Sequence, residues 1–318
     1  MRPDMDVKVF TPEELIAVSR ALRHVAAAND RFTDAERALV EGVARIHGVT
    51  LDAGALAPIS LGELSRIVVD PHSRKRAVQL AIVTALVEGQ PSADTEATVR
   101  ELAAAFGIDE GGLDVLYELT HGRAFAARVD MVRRVSRFIR STKGFPGIMK
   151  FALPLLGFGQ GDLANAARYR ALATCAPGSF GRAVYDHFVD NGFKFPGEVG
   201  GIPLVFHDIG HVLSGYPTDP QGEIQQAAFQ AGFARRDGFS FLLFGILQFH
   251  VGMRITPVAK GYHGLFDVPL VLAALERGAC CKLDLSDGYD VFANKDRPLD
   301  EVRDELGIPP LAEVKKAS

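Results

Sequence analysis

The chain has 318 residues, of which 47% are hydrophobic and 23% charged, and a formal net charge of −4. This is a soluble globular balance with room for two domains, and it lacks the basic excess that nucleic acid as a partner would call for. Three cysteines, Cys175, Cys280 and Cys281, without a CxxC spacing point to structural thiols in a reducing compartment.

The opening MRPDMDVKVFTPEEL contains no apolar stretch of the signal-peptide kind, so a cytoplasmic protein is expected. Residues 11–120 read as helices throughout. Thr11 with Glu14, and Thr33 with Glu36, each carry the capping-box spacing. Leu15, Val18, Leu22 and Val25 recur at helical period. Residues 28–49, ANDRFTDAERALVEGVARIHGV, are echoed by residues 87–108, VEGQPSADTEATVRELAAAFGI. Two copies predict a pseudo-symmetric helical domain, since a solenoid needs at least three. This half resembles the tellurite-resistance TerB-like helical domains. The resemblance implies metal binding at acid-rich turns, which Asp30, Asp34 and Glu36 match, whereas Glu88 stands where Asp is usual. Read by themselves, these acids cap helices. The first domain is placed at 1–121.

Residues 122–159 form a linker of different character. Between 122 and 150 lie six arginines and two lysines against the single acid Asp130. At 100° per residue, Val132, Val135, Phe138 and Ile139 gather on one side. Arg133, Arg134, Arg137 and Arg140 gather on the other. This is a basic amphipathic helix, suited to an anionic membrane surface or, equally, to docking with a solvated arginine face. The apolar stretch that follows, with FALPLLGFG at 151–159, extends such a surface or fills a groove. From 160 to 318 helical patterns resume between Gly and Pro stops, and no run alternates with period two. The fold class expected is all-α: two helical domains joined by the basic linker. The most apolar stretch, Phe239 to Met253, falls short of the ~20 residues that span a bilayer. It reads as a buried helix or a pocket wall.

Within the second domain, LVFHDIGHVLSGYPTDPQGE carries the densest chemistry. Ile202 to Gly215 reads as a helix stopped by Gly215 and Pro217. His207 and His211 then share one face, where both imidazoles reach one ion. Asp208 points about 100° away, as a ligand reached at an angle, an orienter of a histidine, or an acid or base. Thr218 is the expected cap of the next helix, with Glu223 in its first turns and facing the same ion. Two histidines and one carboxylate leave open positions, as catalytic metal sites do. His187 with Asp237 or Asp267 would be needed for a phosphohydrolase of HD type, but no spacing supports them. His250 and His263 read as structural, with a place near the site as the alternative.

The spacing His207-Asp208-x-x-His211-x11-Glu223 is similar to the HDxxHx11E motif of the coenzyme Q biosynthesis protein 4 family. The flanking LATCAPGSFGRAVYDHFVDNGF, HVLSGYPTDPQGEI and DRPLDEVRDELGI resemble that family's segments in the same order, covering roughly residues 160–310. The resemblance implies a zinc-binding helical protein of ubiquinone synthesis. It implies His207, Asp208, His211 and Glu223 as the metal residues, Asp208 and Glu223 among them acting in catalysis. It further implies oxidative decarboxylation of a polyprenylated hydroxybenzoate, peripheral contact with the inner face of a membrane, and association with other quinone-synthesis enzymes, with a homo-oligomer allowed. The donor set suits iron(II) as well as zinc. A non-catalytic lipid-binding scaffold and an HD-type metallohydrolase are the competing readings.

Overall fold

A computed structural model describes residues 6, 8–138, 162–199, 205–255, 259–286 and 289–311. The fold is all-α, with no strand among the described residues. Residues 151–159 and Ile202 to Leu204 lie outside the described residues, and so do Ile139 and Arg140.

The N-terminal half contains α1 (Pro12–Ala26), α2 (Asp34–Ile46), α3 (Leu61–Ile67), α4 (Pro71–Leu86), α5 (Ala93–Phe106) and α6 (Gly112–Thr120). Both expected capping boxes form: the Thr11 and Thr33 hydroxyls accept from the Glu14 and Glu36 amides, and each glutamate accepts back from its threonine N–H. Satisfying end donors in this way is a local device, which is why the sequence displays it. Two acids of the repeated turns, Glu36 and Glu88, are used internally, while Asp30 and Asp34 are exposed. Glu36 completes its cap, and Glu88 accepts from the Thr33 hydroxyl at 2.7 Å. α4 is buried continuously from Arg76 to Leu86, so it forms the axis of this half.

A helix over residues 124–138, here α7, follows. The C-terminal half contains α8 (Leu163–Arg170), α9 (Phe180–Asp190), α10 (Val205–Ser214), α11 (Pro220–Phe233), α12 (Gly238–Phe249), α13 (Val268–Ala279), α14 (Val291–Asn294) and α15 (Leu299–Leu306). α11 is its axis, packed between α12 and α13. The α11–α13 crossing is close enough that a Cβ on Gly278 would meet the Phe229 carbonyl oxygen at 2.0 Å. None of the described helices is long and apolar enough to cross a membrane. Phe239 to Phe249 forms most of buried α12 instead.

The two halves share one apolar cluster. Leu272 of α13 presses on Gly42 of α2, and Phe239 of α12 on Gly112 of α6. The reading that put Arg134 with Arg133 and Arg137 on a solvated face of α7 is corrected here. Its buried stripe is Ala127, Met131, Arg134 and Phe138, while Val132 is exposed. Arg134 is drawn inward by two acids. Its guanidinium reaches Glu110 at 2.7 Å and Asp237 at 2.6 Å, and also bonds the Ser240 hydroxyl. Glu110 in turn accepts from Gln79 of α4 at 2.7 Å. A buried cation needs such partners, and these lie far away in sequence.

Candidate metal centre

α10 and α11 are joined by a tight turn. Gly215 adopts φ +77°, the left-handed conformation that ends α10. The next helix is capped by Asp219, whose carboxylate accepts from the Gly222 amide at 2.7 Å, and not by Thr218. Thr218 instead donates its hydroxyl to Asn191 at 2.5 Å. Asp219 wins because it stands directly before Pro220, the first residue of α11. The end of α10 is held by two arginines from distant helices. Arg303 of α15 donates to the Leu213 and Val212 carbonyls at 3.0 and 2.9 Å, and Arg277 of α13 to that of Ser214 at 2.7 Å. These cations satisfy terminal carbonyls and oppose the negative end of the helix dipole.

On this frame the ligand atoms of His207, His211 and Glu223 lie within 4.8 Å of one another. The two Nε2 atoms are 3.2 Å apart, and Glu223 Oε2 is 3.1 Å from His207 Nε2. Two donors each 2.0–2.1 Å from a tetrahedral ion are separated by roughly 3.3–3.4 Å. The spacing therefore suits a zinc-sized divalent cation.

The orientation of both rings is fixed from behind. His211 Nδ1 donates to the Tyr216 carbonyl at 2.9 Å, which leaves Nε2 as a lone pair toward the centre. His207 Nδ1 faces Gln230 Oε1 at 3.3 Å, while Gln230 Nε2 is buried with no hydrogen-bond partner among the described residues. The site opens on one side: the His207 side chain is 30% exposed, against 2% for His211. Two anchored imidazoles and a facing carboxylate, with one side open, fit a divalent ion that keeps exchangeable positions.

Without an ion, the centre is a tight pair of opposite charges. Burial disfavours the His207 cation, but the Glu223 carboxylate outweighs this and lifts its pKa to about 9. Burial likewise opposes charge on Glu223, and His207 and His211 together hold it well below the usual carboxylate range.

Asp208, the fourth motif residue, stands apart from the three-donor group. It is buried, and its Oδ1 faces His187 Nε2 of α9 at 3.4 Å. Of the other residues weighed from sequence, Asp237 is engaged with Arg134 and Asp267 caps α13. His250 bonds Val87 and Phe266, and His263 forms a bridge with Val251. Tyr216 and Gln230 escaped sequence reasoning. Gln230 is two helical turns from Glu223 on the same face, a spacing that could have flagged it. Tyr216 acts through its backbone carbonyl, which carries no sequence signal.

The chain matches no family model and no curated protein.

Proposed function

We propose that this chain is a metal-dependent enzyme that removes the ring carboxylate of a polyprenylated hydroxybenzoate, with hydroxylation at the same carbon. The supporting observation is the convergence of His207, His211 and Glu223 within 4.8 Å, with the far nitrogens of both rings anchored and one side open. The substrate class rests on the resemblance of the motif and its flanking segments to the quinone-synthesis family.

His207, His211 and Glu223 would hold the ion, zinc or iron(II). When bound, it supplies Lewis acidity toward a carboxylate or phenolate oxygen. The protein's own groups set orientation: the Tyr216 carbonyl and the Gln230 amide keep both Nε2 atoms aimed at one point. Burial of His211 and Asp208 keeps water from that side of the centre. The net reaction replaces a ring carboxylate by oxygen and is an oxidation, so it requires an acceptor such as dioxygen. The exposed side of α7, with Phe125, Val132, Arg133 and Arg137, is the surface assigned to the anionic inner face of a membrane.

The test is Glu223→Ala in a host whose quinone synthesis depends on this protein, with metal content and bound lipid measured on the purified chain. Loss of quinone together with loss of the metal supports the enzyme. Undiminished quinone with folded, metal-free protein refutes catalysis and leaves a lipid-binding scaffold. Absence of metal from the native and reconstituted wild-type protein refutes the metal centre itself.

A further inference from the structure

Asp208 and His187 form a second layer beside the three donors. On the α10 wheel Asp208 lies about 60° from His211 and one turn before it, on the side toward α9. Its carboxylate therefore stands beside the ligand stripe, close enough for its charge to act on the His207 imidazole. It is 5% exposed, and a buried carboxylate requires a partner. His187 provides one. The His187 ring is itself wedged in place: it stacks on the His211 ring at 5.8 Å with a 21° interplanar angle, and meets Phe188 and Phe193 edge-on, each at 5.7 Å. The carboxylate only accepts, so His187 Nε2 carries the hydrogen in this contact. At 3.4 Å the contact is long for a hydrogen bond, a hold that can be released.

We propose that His187 is a positioning residue that keeps Asp208 off the metal, so that the resting centre has three protein ligands and Asp208 is a fourth held in reserve. This rests on the metal-centre reading above and specifies its coordination. The motif alone makes the aspartate a ligand equal to the other three. The fold turns it toward α9 instead. A centre held at three ligands keeps an additional position open for substrate, and admission of Asp208 closes that position.

The test uses the full-length protein loaded with cobalt(II), whose visible spectrum reports ligand number and type. The variants are His187→Phe, which keeps the aromatic wedge but removes the hydrogen-bond donor, Asp208→Asn, and the two combined. Circular dichroism and thermal melting verify that each is folded, and His187→Gln serves if the phenylalanine variant is not. Asp208→Asn is expected to leave the spectrum unchanged and to weaken cobalt binding by less than about tenfold, the lower end of what loss of an outer-shell partner costs. His187→Phe is expected to change the spectrum toward higher protein coordination and to weaken azide binding at the open position. The combined variant is expected to match Asp208→Asn. A spectrum altered by Asp208→Asn alone would make the aspartate a resting ligand and overturn the proposal. So would a His187→Phe spectrum identical to wild type, or a change that persists in the combined variant. Failure of the wild-type protein to bind cobalt, or binding untouched by His211→Ala, refutes the centre and not merely the role of His187.

Discussion

Arg134→Ala is expected to be among the most damaging single changes in this chain outside the metal centre. The Arg134 side chain is 7% exposed and that of Glu110 only 3%, whereas Asp237 is 34% exposed. Removing the guanidinium lets Asp237 rehydrate, but it strands the Glu110 carboxylate in the interior. Breaking a buried pair from one side costs about 3–5 kcal/mol. Glu110 keeps its bond from the Gln79 amide, which places the expected loss near the bottom of that range, ~3 kcal/mol. Urea unfolding is the assay, with the midpoint falling at an unchanged slope. The double change Arg134→Met with Glu110→Leu removes both charges and fills the same space, so it is expected to recover most of the loss. The reasoning fails if Arg134→Ala costs less than about 1 kcal/mol, the range of an exposed ion pair, or if the double variant is no more stable than the single one.

Four further outcomes follow from the same structure. Zinc must displace the proton that Glu223 keeps on His207 below about pH 9; apparent affinity should fall by up to about tenfold per unit as pH drops below that value, read by competition with a chelator. In the metal-free protein the sign for stability is opposite: the raised His207 pKa contributes stability that is present below about pH 6.5 and is lost as pH rises through about 9. His250 behaves in the other sense, because burial lowers its pKa and its Nδ1 must stay unprotonated to accept from the Phe266 amide. Below about pH 6.5 the unfolded chain gains the proton first, so stability falls with acid by up to about 1.4 kcal/mol per unit, and His250→Gln should flatten that slope between pH 7.5 and 5.5. Gly278→Ala places a Cβ 2.0 Å from the Phe229 carbonyl and must spread α11 from α13; a loss of at least about 1–3 kcal/mol is expected in the same urea assay, and a neutral result would mean that the crossing is looser than described.

Much of the candidate site was legible because its geometry is local. The four-residue step from His207 to His211 becomes one helical turn wherever the segment is helical. Gly215 and Pro217 announced the turn, and Pro220 marked where α11 begins. The capping boxes at Thr11 and Thr33 formed as read for the same reason, since a cap involves atoms three residues apart. The single-residue error at Thr218 came from choosing between two adjacent capping side chains.

Non-local choices were another matter. Periodicity assigned Arg134 to a polar face by its charge, but helix geometry only says which residues share a face. Whether that face meets water or two carboxylates depended on Glu110 and Asp237, which approach only when both halves have packed. Asp208 shows the same limit. Its 100° offset from His207 was evident from sequence, yet its partner was decided by where α9 placed His187. By itself the sequence determined the all-α fold, the caps and the paired histidines, because each depends on backbone geometry over a few residues. Only the tertiary structure decided which buried charges meet, because the energy of a buried charge is set by the partners that surround it in space.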